Sequence, residues 1–194
     1  GATGPTGPQG TAGGLTIFLS NVLTTSSPPY LYGNLVTVPD TTTPSQTVTY
    51  TFSNDNNPHL LATFISDLNL LNYNFIPGGL WDLNVYVSTS SITPQIVMYM
   101  NVYYLYSGVE TLVTDGSTSN SSVNYTSETL VTSTLYVPLT TLTDYTNTQL
   151  IIRLYVICPS GNPNNKTVTL YTRDSSLSHI HTSLNFSPGA TGPT

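Results

Sequence analysis

Hydrophobic and polar positions alternate along most of the chain with a period of two. In LWDLNVYVS (80–88), Trp81, Leu83, Val85 and Val87 fall on one face, and Asp82, Asn84 and Tyr86 on the other. In KTVTLYTR (166–173), Val168 and Tyr171 interleave with threonines. Such alternation, rich in Val, Ile, Thr and Tyr, marks half-buried β-strands. Further runs rich in Val, Ile, Thr, Tyr and Leu, several of them alternating, read as strands: LTIFLS (15–20), QTVTYTF (46–52), HLLATFIS (59–66), IVMYMNVYYLYS (96–107), VETLVT (109–114), ETLVTSTLYVP (128–138), QLIIRLYVI (149–157) and SHIHTSLNF (178–186). Between these runs stand turn-forming clusters: SSPPY, SNDNNP, IPGG, SG, TDGS and SGNPNN. Helical periodicity is weak, and DLNLLNY (67–73) suits at most one short turn. About ten short strands so punctuated predict an all-β, jelly-roll-like antiparallel sandwich. The stretches 21–45 and 115–127 are expected to be surface loops.

A second period appears at the ends. Gly1, Gly4, Gly7, Gly10 and Gly13 recur every third residue, as GAT-GPT-GPQ-GTA-G. A collagen triple helix demands this spacing because only glycine fits at its crowded axis. Pro5 and Pro8 hold φ close to the value that helix needs. The opening hexamer GATGPT returns at 189–194, bringing Gly189 and Gly192 into the same pattern. The chain therefore divides into a collagen-like segment 1–14, a β-module 15–187 and a second collagen-like start at 188–194.

The two patterns together predict a homotrimer. IVMYMNVYYLY and QLIIRLYVI are apolar on both faces, whereas an antiparallel sheet facing water normally keeps one face polar. Tyr103, Tyr104, Tyr106 and Tyr155 are the candidates for an interface between copies. The first tract makes only roughly 40 Å of rod at ~3 Å per residue. So short a rod does not repay its ordering entropy alone. Held in register by a trimeric module, it does.

Composition narrows the function classes. Only 6% of residues are charged, Lys plus Arg total 3, and the net charge is −6. Nucleic acid and anionic membranes both call for cationic groups, so neither is an expected partner. No apolar run is long enough to span a bilayer. No signal peptide is visible and Gly1 takes the place of an initiator Met, which reads as processing or as an excerpt of something longer. Cys158 is the single cysteine, so no intrachain disulfide forms. After LIIRLYVI it reads as a small buried hydrophobe, with an interchain bridge as the alternative.

Candidate chemistry is sparse. His179 and His181 alternate on one strand and form a weak metal candidate, but no further ligands stand nearby, so surface or interface histidines are expected. SNDNNPH (53–59) offers oxygen ligands without the glycine and glutamate of a calcium loop, and reads as a turn. There is no nucleophile elbow, no suggestive carboxylate pair and no phosphate loop, so neither catalysis nor a cofactor is expected. Asn120, Asn124 and Asn165 head N-x-S/T sequons in expected loops. Thr3, Thr6, Thr191 and Thr194 take the outward third position of collagen triplets, open to O-linked sugar.

Gly-Ala-Thr-Gly-Pro-Thr repeats joined to a compact β-domain resemble the collagen-like surface fibres of bacterial exosporia and giant viruses. FIPGGLWDLNVYVS (75–88) and TVTLYTRDSSLSHIHTSL (167–184) are similar to the globular modules of giant-virus collagen-like proteins. The resemblance implies a trimeric head of the C1q and tumour necrosis factor class, without enzymatic activity. It places the chain on a virion, spore or cell surface, outside the cell. Such heads cap a stalk, whereas here the triplets resume at Gly189. A module lying within the rod is therefore expected to take its chain in at one pole and release it at the other, with 21–45 making the crossing and Gly13 far from Pro188. The expected role is structural, in a fibre that extends head to tail. The alternative is an adhesion module binding a glycan or a host receptor.

Overall fold

A computed structural model describes residues 14–20, 32–39, 46–53, 55–93, 95–159, 165–172 and 177–184. Both collagen-like tracts, with Gly1, Gly4, Gly7, Gly10, Gly13, Gly189, Gly192 and their threonines, lie outside these. The described chain is all-β. Its strands are β1 (Thr16–Ser20), β2 (Tyr32–Val36), β3 (Gln46–Phe52), β4 (His59–Ser66), β5 (Phe75–Ile76), β6 (Gly79–Thr89) and β7 (Ile96–Tyr106). There follow β8 (Val109–Thr114), β9 (Ser121–Val123), β10 (Thr129–Val137), β11 (Thr140–Thr141), β12 (Thr148–Ile157), β13 (Lys166–Thr172) and β14 (His179–His181). One 3-10 turn, Tyr145–Asn147, is capped by the Asp144 carboxylate, which accepts from the Thr146 N–H at 2.9 Å. No helix among the described residues is long and apolar enough to cross a membrane.

Twelve strands form one sheet, ten of them along the path β3-β13-β6-β14-β1-β2-β4-β12-β7-β8, with β10 paired to β6 and β9 to β7 beside it. Two long strands organise it. One edge of β6 carries β10 along its length, and the other carries β13 and then β14. In β7, one edge carries β12, and the other carries β9 and then β8. β5 and β11 form a separate pair. The sheet is mixed: β2 runs parallel to β4, which corrects the expectation of a purely antiparallel one.

The alternation decides what is buried. Trp81, Leu83, Val85 and Val87 of β6 point inward, as do Leu150, Ile152, Leu154 and Val156 of β12, all at most 2% exposed. They join one continuous core together with Ile96, Met98, Met100 and Val102 of β7. Each such side chain contributes about 1.5–3 kcal/mol of transfer free energy. β7 and β8 join through Ser107 and Gly108, at φ +51° and +77°. Both central residues are left-handed, which matches the right-handed strand twist.

The expected loop 21–45 contains β2, and 115–127 contains β9. β2 pairs with β1 and, in parallel, with β4, and β9 pairs with β7. Residues 67–73 form only turns and bends, as expected. Cys158 is buried, its thiol pointing at the Gln95 carbonyl oxygen 3.8 Å away, so no interchain bridge can reach it.

Candidate functional site

The outward face of β12 and β7 gathers the densest aromatic chemistry. Opposite in parity to the core residues, β12 carries Ile151, Arg153 and Tyr155, and β7 carries Tyr99, Asn101 and Tyr103; Ile151, Tyr99 and Asn101 are buried there, and Arg153, Tyr155 and Tyr103 are half-buried. Cross-strand register sets Tyr155 against Tyr99, Arg153 against Asn101 and Ile151 against Tyr103. The Tyr99 and Tyr155 rings stack with centroids 5.3 Å apart and planes 13° apart. The Arg153 guanidinium lies 4.8 Å from the Tyr103 centroid. It also donates to both oxygens of Glu110, at 2.7 and 2.8 Å, the bidentate geometry that makes such a pair strong. Asn101 is buried, accepting from the Gly116 N–H at 2.9 Å and donating to the Tyr103 hydroxyl at 3.3 Å. Arg153 Nε is buried without a hydrogen-bond partner.

The surroundings favour the protonated phenols of Tyr155 and Tyr99. Burial, and then hydrogen bonding with Tyr103, pushes Tyr155 up to about 12. Burial likewise raises Tyr99, with Asp115 adding to the effect. Burial opposes the charge on Arg153, but the Glu110 carboxylate and the neighbouring tyrosines outweigh it and raise the guanidinium above its ordinary value. With Arg153 paired to Glu110, the face is a ledge without unpaired charge, formed at its surface by half-buried Tyr103 and Tyr155. It suits stacking and hydrogen bonding, not proton transfer.

Two of the four tyrosines expected at an interface share this ledge. Tyr103 and Tyr155 stand on it, whereas Tyr104 packs against the core. Tyr106 has the parity of Tyr104 and sits opposite Thr148 and Val109. Adjacent residues of a strand point to opposite faces, so Tyr103 and Tyr104 cannot both face outward. Tyr99, which the sequence reading left out, takes the central place. Its parity with Tyr103 was the available signal.

His179 and His181 lie on the outward face of β14, opposite Asn84 and Asp82. Their rings meet edge to face, centroids 4.8 Å apart. Nδ1 of His179 donates to the Leu177 carbonyl oxygen at 2.6 Å, and Nδ1 of His181 is bonded to the Thr16 hydroxyl at 2.9 Å. Among the described residues, no group of three or more His, Cys, Asp or Glu side chains is placed to hold a metal ion. Within the 53–59 stretch, residues 55–57 bend around Asp55, which accepts from the Asn57 N–H at 3.1 Å and pairs with His59 Nε2 at 2.8 Å. Of the sequon asparagines, Asn120 and Asn165 are exposed and Asn124 is half-buried, its Oδ1 accepting from the Ile96 N–H at 3.4 Å.

The ends of the module meet. The Leu15 N–H donates to the Leu184 carbonyl oxygen at 2.7 Å, and the Thr182 N–H donates to that of Leu15 at 3.0 Å. The Thr182 hydroxyl donates to the Leu15 carbonyl oxygen as well, at 2.8 Å. At Gly14 a Cβ would fall inside the van der Waals radius of the Thr182 carbonyl oxygen, so glycine is required there. Gly13 and Pro188 lie outside the described residues. Among the described residues, Leu15 and Leu184 are adjacent. β1 and β14 are antiparallel partners, with Thr16 opposite His181, so the chain leaves beside where it enters. An open cleft of about 510 Å³ flanks Leu15, lined also by Leu35, Val38, Asp67 and Leu70.

No protein family and no curated protein matches this sequence. Among solved structures, the chain is similar to a CocE/NonD family hydrolase from Staphylococcus aureus, at 9% identity and a TM-score of 0.54 over 93% of this chain. It is also similar to an alpha-amino acid ester hydrolase, at 13% identity and a TM-score of 0.54 over 89% of this chain. It spans 38% and 36% of those proteins' lengths. At such identities the likeness is one of fold alone.

Proposed function

We propose that this chain is a structural component of an extracellular or virion-surface collagen-like fibre. Its β-module, read as a jelly-roll-like sandwich, forms a homotrimer, sets the register of three chains and spaces the triple-helical rods. The observation that carries the reading is the pair of GATGPT tracts, the first with five glycines in strict period three, flanking a module. The adjacency of Leu15 and Leu184 supports it, because adjacent ends let a module be inserted into a continuing chain. The module then hangs beside the rod and is not threaded by it. No catalysis is part of this proposed role.

The test is sedimentation equilibrium of the full chain, with circular dichroism for the triple-helical signal. The expected result is a trimer whose triple-helical signal is lost in Gly7→Ala. A monomer, or a signal indifferent to Gly7→Ala, overturns the reading.

A second reading has its own observation, the half-buried Tyr103 ring beside the Arg153 guanidinium, with half-buried Tyr155 next to them backed by the buried Tyr99. As an adhesion module, the chain would bind a sugar or a receptor on that ledge. Glycan-array binding lost in Tyr103→Ala supports it, and an array without binders removes it.

A further inference from the structure

We propose, resting on the trimeric reading above, that the copies meet through the pole where the chain enters and leaves, by the uncharged patch of Phe75, Leu80, Tyr136 and Leu139. These side chains are 40%, 65%, 62% and 67% exposed. Leu80 and Tyr136 are cross-strand neighbours on the β6–β10 ladder. Through its middle, the same outward face is polar, pairing Asp82 with Thr134 and Asn84 with Thr132. Large apolar side chains replace this pattern at the end nearest the chain's exit. Leu139 follows directly, its backbone against Gly78, and Phe75 pairs with Thr141 beside it.

The patch is tied to the chain ends by contacts. Ser183 lies against Gly79 and donates to the Pro77 carbonyl oxygen at 2.7 Å. Leu184, the next residue, is bonded to Leu15. The glycine period runs to Gly13, one residue before Gly14. One residue spans at most about 3.6 Å. Three chains wound into that tract therefore bring three of these poles together, and a second copy of this chain is the surface that each patch meets.

Size explains why the tether is needed. A stable interface buries about 800 Å² on each partner, and four partly exposed side chains fall short of that. Untethered copies associate weakly. Copies joined by a short linker face one another at about millimolar effective concentration, which suits a small patch.

The experiment compares full chains by sedimentation equilibrium. The expected result is a wild-type trimer, an L80S/Y136S/L139S variant that needs at least 10-fold higher concentration to associate, and a Y103S/L112S variant that remains trimeric. A photo-crosslinking phenylalanine at position 136 gives an independent readout in nearly native protein, expected to yield covalent dimers and trimers. A wild-type trimer with an unaffected pole variant and no crosslink overturns this surface alone. A wild-type monomer overturns the trimeric reading and this surface with it.

Discussion

Ser183→Ala isolates one joint that holds the chain's exit to the core. The Trp81 indole N–H donates to the Ser183 hydroxyl oxygen at 2.8 Å, and that hydroxyl donates onward to the Pro77 carbonyl oxygen at 2.7 Å. Trp81 is 0% exposed, so alanine strands a buried donor that water does not reach. An unsatisfied buried group costs about 1–3 kcal/mol. The Pro77 carbonyl is half-buried and recovers much of its loss from solvent, so the expected penalty is about 2 kcal/mol. For a chain of this size that lowers Tm by about 4–8 °C. The assay is urea denaturation followed by far-UV circular dichroism at one fixed protein concentration. Trp81→Phe and the double variant complete a cycle, because phenylalanine removes the donor that alanine strands. The expected coupling is at least about 1 kcal/mol. A Ser183→Ala chain of wild-type stability, or an equal loss in the Trp81→Phe background, would refute the reasoning.

At the β7–β8 turn, Gly108→Ala is expected to cost about 1 kcal/mol from backbone strain, because a Cβ there would meet no atom within 4 Å. Ser107→Asn, which tolerates a left-handed φ better, should shift the denaturation midpoint the other way. Hydrogen bonds from His59 and then Asn57 hold Asp55 down at about 2, against an ordinary 3.8. Its folded value is depressed, so its contribution is present above pH 3.8 and fades as pH falls toward about 2. Carboxyl NMR should show Asp55 raised from about 2 toward, but not to, its ordinary value in His59→Ala, because the Asn57 hydrogen bond remains; an unchanged midpoint contradicts the assignment. Tyr155 is raised to about 12 from an ordinary 10, so its contribution is full below pH 10 and is lost as pH rises through about 12. Tyrosinate absorbance should show this late midpoint, lowered only in part by Tyr103→Phe because burial is the larger cause; uniform titration near 10 would contradict it.

Strands that fold by local alternation were legible in the sequence. β3, β4 and β8 have the bounds that their alternation predicts, and the Ser-Gly turn falls between β7 and β8. β2 was not legible. YGNLV owes its place to a parallel partner and to Gly33, where a Cβ would crowd the Phe64 ring. β5, β9 and β11, two or three residues each, are too short to show a period. Composition found the tyrosines, but only strict parity separates Tyr103 from Tyr104. The meeting of Leu15 with Leu184 was invisible for another reason. It joins residues far apart in sequence, and alternation says which face a residue takes but not which strand lies beside it.

That meeting also fixes how the molecule bears load. In a fibre under tension, pull arrives at Leu15 and Leu184 from opposite sides of one hydrogen-bonded pair. Strands loaded in this way peel apart one pair at a time and never share the force along a ladder. Once β1 parts from β14, the roughly 170 residues between them can pay out about 600 Å of extended chain. Stretching single molecules held at residues 14 and 184 should register that gain at low force, and rupture without it would contradict the picture. In the proposed fibre, such modules would carry slack folded, and the fibre would lengthen before its rods are strained.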